Sequence, residues 1–141
     1  MVGLVVVSHS ERAAEGIAEV AAEMAGDTRI EPVGGDGKGG IGTVPDAIEA
    51  AIDAAAGGAG DGAGSADGGD SNADGVVVLV DLGSAVMNAD VAVELSDAEA
   101  VIADAPVLEG AVNAAVAATD PSATIESVRE QAEAARDIEK L

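Results

Sequence analysis

The chain has 141 residues, with 27 Asp plus Glu against 6 Lys plus Arg, a formal net charge of −21, one His, no Cys and no aromatic residue. Without Cys there is no disulfide, iron–sulfur cluster or thiolate zinc site. So negative a chain repels nucleic-acid phosphates and offers no ring for bases to stack on, and its longest apolar runs fall far short of the roughly 20 residues of a membrane helix.

Val2-Gly3-Leu4-Val5-Val6-Val7 is a continuous apolar, β-branched run, the pattern of a strand buried on both faces. It breaks at Ser8-His9-Ser10-Glu11, where Ser8 and Glu11 have capping-box spacing and predict a helix start. Ala13, Ile17, Val20 and Met24 then recur at helical spacing and predict its inward side. Arg29 to Val33 reads as a short second strand, followed by a loop from Gly34 to Thr43 that holds six glycines. Thr43 is expected to cap the next helix and Pro45 suits its first turn, with Val44, Ile48 and Ile52 on the apolar side.

Residues 57–74 are low-complexity Gly, Ala, Asp, Ser and Asn, which bury no apolar area and predict a mobile surface insertion. Gly75 to Val80 is a second fully apolar strand, ending at Asp81-Leu82-Gly83-Ser84. Ser84 reads as the cap of a helix with Val86, Met87, Val91 and Leu95 inward. Ala100 to Ala103 is a fourth short strand, and Pro106 opens a helix carrying Val107, Leu108, Val112 and Val116. Asp120-Pro121 is expected to cap a last helix, with Ile125, Val128, Ala132 and Ile138 recurring to the end.

This order, βαβαβαβαα, predicts an α/β fold in a single domain over residues 1–141. A mainly parallel four-stranded sheet should carry helices on both faces, joined by right-handed crossovers. Its core is expected from Val, Ile, Leu, Met and Ala. With no basic leader pattern, a soluble cytoplasmic protein is expected, without nucleic-acid or membrane partners. The acidic, Lys-poor composition fits adaptation to concentrated salt, where screening over roughly 3 Å at 1 M removes the self-repulsion.

In such folds the site lies beyond the carboxyl ends of the strands, near the switch in strand order. Three polar loops fall on that rim: Ser8-His9-Ser10, Gly34 to Thr43, and Asp81 to Ser84. His9 is the only side chain with an ordinary pKa near neutrality. A neutral imidazole there can take a phosphoryl group on one nitrogen while a carboxylate fixes the proton on the other, and Asp81 is the best-placed carboxylate. The following helix N-terminus favours a phosphate, and the glycines permit close backbone approach and amide nests.

Plainer readings stand beside this one. A lone His in such a loop is often a surface or capping residue, Asp81 an ordinary turn residue, Lys38 a solvated charge and Ser84 only a cap. The glycine loop matches neither nucleotide fingerprint. No second His supports a metal site, and no nucleophile elbow supports Ser-His-Asp hydrolysis. A receiver-like module phosphorylated on Asp81 would want paired acids after the first strand, where Ser8-His9-Ser10 stands instead.

Val6-Val7-Ser8-His9-Ser10, Gly34-Gly35 followed by Ile41-Gly42-Thr43, Val80 to Ala85, and Ala105 to Ala111, in that order, resemble the phosphocarrier subunit family of phosphoenolpyruvate-dependent dihydroxyacetone kinase. The fold this implies is that of the mannose-type enzyme IIA domain of the sugar phosphotransferase system. The resemblance covers about residues 2–118. It implies a phosphotransferase component in which His9 is phosphorylated on Nε2 by the phosphocarrier HPr. The group then passes to ADP bound on the nucleotide subunit of the kinase, and the ATP formed phosphorylates dihydroxyacetone on a third subunit. Asp81 matches the aspartate that orients the histidine, and Ser10, Gly42, Thr43, Gly83 and Ser84 match the loops around the phosphate. It further implies a homodimer, and no cofactor or metal. Some members carry fused HPr-like and enzyme I-like domains, so separate ones are expected to serve this chain. The near alternative is a mannose-type enzyme IIA component of a sugar transporter with the same histidine chemistry.

Overall fold

The structure is a computed structural model that describes residues 1–57 and 74–141; the expected insertion lies outside the described residues except for its two end positions. Four parallel strands form one sheet in the order β2-β1-β3-β4: β1 is Gly3–Ser8, β2 Ile30–Gly34, β3 Val76–Val80 and β4 Ala100–Ile102. Central β1 is buried along its whole length and β3 over its first four residues, which is why both read as unbroken apolar runs.

Alternation along these strands splits the core. Val2, Leu4, Val6, Val77 and Leu79 face α1 (Glu11–Ala22), α4 (Val107–Ala118) and α5 (Ile125–Glu133). On the other side Val5, Val7, Val76 and Val78 face α2 (Pro45–Ala55) and α3 (Val86–Leu95). Each such Val or Leu, taken fully out of water, contributes about 1.5–3 kcal/mol. The expected element order and the two-faced parallel sheet match this architecture, and no described helix is long and apolar enough to cross a membrane.

The helix faces differ from expectation, for one physical reason. α1 turns Ala14, Ala18 and Ala21 to the sheet and leaves Val20 and Met24 about half exposed. In α3, Ala89 and Ala92 are buried while Met87, Val91 and Leu95 point outward. In α4 the buried residues are Gly110, Ala111, Ala114, Ala115 and Ala118, with Leu108 and Val116 exposed. Methyl-sized side chains let the helices lie close to the Val-rich sheet. At Gly110 a Cβ would come within 2.9 Å of both Leu79 Cδ2 and Ala105 Cβ.

Four expected caps also fall elsewhere. Ser10, not Ser8, caps α1, accepting from the Ala13 N–H at 3.2 Å; Ser8 is still a strand residue, paired with Gly34. Val44 precedes Pro45 at the start of α2 without a side-chain cap, because Thr43 is bonded to Asn88 instead. Ser84 lies inside a 3₁₀ turn, Gly83–Ala85, ahead of α3 and caps nothing. Asp120 closes a local turn onto Ser122, and the cap of α5 is a Thr124–Ser127 capping box. α5 stops at Glu133, gives way to a 3₁₀ turn over Ala134–Asp137, and leaves Ile138 exposed.

Candidate functional site

β1 and β3 are hydrogen-bonded neighbours whose onward connections diverge, β1 pairing on its other edge with β2 and β3 with β4. This is the switch point, and register does the rest. Val7 pairs with Val80, and the Asp81 N–H donates to the Val7 carbonyl at 3.1 Å, so the residues that follow the two strands emerge side by side. His9 and Asp81 therefore meet although 72 residues separate them.

Asp81 grips the turn after β1 through both oxygens. Oδ1 lies 2.9 Å from His9 Nδ1. Oδ2 accepts from the His9 backbone N–H at 3.0 Å and from the Ser8 hydroxyl at 2.9 Å. Burial raises the Asp81 carboxyl pKa, and the His9 backbone, His9 ring and Ser8 hydrogen bonds more than offset it, so the net direction is below the ordinary carboxylate value. An ionised carboxylate has only lone pairs to offer, so Nδ1 carries a proton, and in the neutral imidazole Nε2 keeps the lone pair. The Ser84 hydroxyl, 2.9 Å from Nε2, then donates to that lone pair. The ring is about one-fifth exposed, braced from one side and open at the rim.

The chain around His9 is held as firmly. The Gly42 N–H donates to the His9 carbonyl at 2.8 Å, from a backbone with φ of +151°, where an L side chain is strained. At Gly34, a Cβ would run into the backbone oxygens of Ser8 and Ser10, so glycine lets the end of β2 approach the reactive turn. Thr43 ties the glycine loop to α3, its hydroxyl accepting from Asn88 Nδ2 at 2.7 Å.

Within that loop the Asp36 carboxylate accepts from the N–H groups of Lys38 (2.7 Å) and Gly40 (2.9 Å). These bonds, Lys38 first, pull its pKa down. The amide nest expected to be open to phosphate is thus filled by the loop's own anion.

Of the sequence-derived site residues, the structure joins His9, Asp81 and Ser84 through side chains and Gly42 through its backbone. Ser10 adjoins them, with its hydroxyl committed to the α1 cap. Thr43 and Gly83 lie in the flanking loops without a hydrogen bond to His9. Two residues of the site are not named as such from the sequence, where Ser8 reads as a cap in the rim loop and Asn88 is not singled out at all. Ser8 is 1% exposed, bonded to Asp81 and accepting from the Ser10 N–H at 3.1 Å; a polar residue closing an apolar strand beside the histidine was the available signal. Asn88 leaves no local signal, because its partner arrives from another loop. Among the described residues no group of three or more Asp, Glu or His gathers as a metal site.

A family described as the PTS system fructose IIA component, EIIA-man, matches residues 3–61 and 68–129. The phosphotransferase subunit DhaM of the PTS-dependent dihydroxyacetone kinase of Lactococcus lactis is 34% identical over 131 residues, covering 93% of each chain. The phosphoryl donor subunit DhaM of the PEP-dependent dihydroxyacetone kinase 2 of Listeria innocua is 37% identical over 121 residues, 82% of this chain and 85% of that one. A crystal structure of a protein of unknown function superposes with a TM-score of 0.70 at 23% identity, covering 94% of this chain and 92% of that one, which speaks for the fold alone.

Proposed function

The chain belongs to the EIIA-man family, and from that premise we propose that it is a phosphohistidine carrier that donates its phosphoryl group to a dihydroxyacetone kinase. His9 accepts the group on Nε2 from HPr and passes it to ADP held on the nucleotide subunit of the kinase. The observation that carries this reading is the division of labour on the ring. Nδ1 is occupied by Asp81, and Nε2 keeps a lone pair that only a hydroxyl covers.

In the first half-reaction the Nε2 lone pair attacks the phosphorus of the donor phosphohistidine. The new N–P bond forms as the donor's N–P bond breaks, and the donor imidazole leaves with that electron pair. His9 then bears the phosphoryl group on Nε2 and the proton on Nδ1, a cationic ring whose charge the Asp81 carboxylate balances. Ser84, displaced from Nε2, is positioned to donate its hydroxyl to a phosphoryl oxygen, and Ser10, Gly42, Thr43 and Gly83 shape the surrounding loops. In the second half-reaction a terminal phosphate oxygen of ADP attacks, the His9 N–P bond breaks, and Nε2 recovers its lone pair. Transfer of this kind asks mainly for positioning and charge balance, and the braced ring supplies both.

The two dihydroxyacetone kinase relatives support the kinase as the destination. A sugar-transport component with the same His9 chemistry is the second reading, favoured by the fructose IIA description of the family. The test uses phosphoenolpyruvate, enzyme I and HPr. The wild-type protein should gain an acid-labile adduct of about 80 Da, one phosphoryl group, and His9→Ala none; equal labelling of both rejects the proposal. Transfer from the labelled protein to ADP on a purified nucleotide subunit, rather than to a membrane permease component, decides between the two destinations. A homodimer belongs to the same reading and is checked by light scattering.

A further inference from the structure

The chain has six basic residues against 27 acidic ones, so a cation on this surface has carboxylates in abundance to pair with. Four are engaged. Arg29 donates to the Ala54 carbonyl, Arg129 pairs with Glu126, Arg136 with Asp104 and Lys140 with Glu109. Among the described residues, the side chains of Arg12 and Lys38 make no ion pair or hydrogen bond, and both are exposed. They stand on the two segments that border the reactive turn. Arg12 is on the first turn of α1, three residues after His9, and Lys38 is in the glycine loop.

Between these segments lies a cleft of about 430 Å³, walled by Ser10, Glu11 and Arg12 on one side and by Gly34, Gly40 and Ile41 on the other. Its size suits part of a small molecule. With no aromatic residue in the chain it has nothing on which to stack a base. Its loop amides at Lys38 and Gly40 are already taken by Asp36. Arg12 stands on its wall, while Lys38 lies between the wall residues Gly37 and Gly39 without lining it, so the two unpaired cations stand at the cleft and at its border.

Resting on the phosphocarrier reading, we propose that Arg12 and Lys38 form an anion subsite for the phosphate chain of the acceptor nucleoside diphosphate, whose base and sugar stay with the partner subunit. The incoming donor brings a single phosphoryl group, destined for Nε2 and the Ser84 hydroxyl. The acceptor brings further phosphate charge that must approach a protein of net charge −21, and two unpaired cations offset the nearby carboxylates of Glu11 and Asp36 there. Glu11, on the same wall, opposes the anion and limits how tightly the product is held after transfer.

The test follows the two half-reactions separately at fixed ionic strength, first loading of His9 from phosphoenolpyruvate through enzyme I and HPr, then transfer from the loaded protein to the ADP-bearing subunit. The Arg12→Gln/Lys38→Gln double variant is expected to raise the KM for the acceptor by about tenfold or more, the effect of removing two charge-assisted contacts at an exposed rim. Loading should change several-fold less. The charge-keeping Arg12→Lys/Lys38→Arg variant should recover most of the loss, and Glu11→Gln should lower the acceptor KM. Wild-type transfer by the double variant, or an equal loss in both half-reactions, overturns the subsite while leaving the carrier intact. A wild-type protein that takes no phosphoryl group overturns the carrier reading and the subsite with it.

Discussion

Replacing Asp81 with asparagine keeps the shape of the side chain and changes what it can offer the ring. Oδ2 of Asp81 faces two donors, the His9 N–H and the Ser8 hydroxyl, so the amide of the Asp81→Asn variant must turn its oxygen to them and its NH₂ to Nδ1. An NH₂ group needs an acceptor, which forces Nδ1 to give up its proton and Nε2 to take it. The nucleophilic lone pair is then on the wrong nitrogen, as for an aspartate-to-asparagine change behind any catalytic histidine. One charge-assisted hydrogen bond, about 1.5–3 kcal/mol, is lost together with the carboxylate that balances the phosphorylated ring. Together these amount to about 3 kcal/mol, or about a hundredfold in the loading rate at 1.36 kcal/mol per decade. Because every hydrogen bond on Oδ2 survives, folding should change by less than about 1 kcal/mol. The chain has one histidine, so ¹⁵N–¹H correlation of the ring reads the tautomer without assignment. Rapid-quench labelling reads the rate and circular dichroism the melting temperature. A variant that loads at the wild-type rate, or keeps its proton on Nδ1, refutes the reasoning.

Ser8→Ala leaves the partly buried Ser10 N–H without its acceptor and Asp81 Oδ2 one donor short; a loss of about 1–2 kcal/mol in stability and a slower loading rate should follow, read by chemical denaturation and labelling. The Asp81 carboxyl is depressed on folding, so it contributes stability that is complete above the ordinary carboxylate pKa and lost as pH falls through its lower folded value; on acid titration below about pH 5 the wild type should lose more stability than Asp81→Asn, and parallel curves count against the brace. At net charge −21 the melting temperature should rise between 0.1 M and 1 M salt, where the screening length falls from about 10 Å to about 3 Å, and calorimetry showing the reverse removes the salt-adapted reading. Ala89→Leu, forced against Val-rich β-strands, should cost about 1–3 kcal/mol or more, whereas Met87→Ala, on the outward side of the same helix, should change stability by less than about 0.5 kcal/mol; urea midpoints compare the two.

The sheet and the reactive pair were legible because their causes are local or topological. Strands buried on both faces must be apolar throughout, so Val2 to Val7 and Val76 to Val80 announced themselves. A parallel sheet puts the residues after its central strands on one rim, so His9 and Asp81 followed. Three of the four misplaced caps were not legible, since each depends on a partner supplied by the fold; the fourth, at α5, is a local Thr124–Ser127 box that Asp120-Pro121 masked. Ser8 fits a capping box with Glu11 by spacing, yet Asp81 claims its hydroxyl. Thr43 precedes a helix, yet Asn88 claims it. Ser84 stands at a helix start, yet His9 draws it inward. Helix faces were misjudged because size was taken as the mark of the core, while α1, α3 and α4 pack with alanine.

That packing reverses the usual direction of damage by substitution. In most cores the harmful change removes bulk and leaves a void; here the sides of α1, α3 and α4 that touch the sheet are already near the smallest size available, so on them there is little to remove. What they cannot accept is growth. A single added methyl at Gly110 would meet carbon atoms of Leu79 and Ala105 inside van der Waals contact. The helix would be lifted off a sheet whose central strands position His9 and Asp81 at their carboxyl ends. The inner faces of α1, α3 and α4 therefore accept only the smallest residues, while their outer faces are free to vary in size.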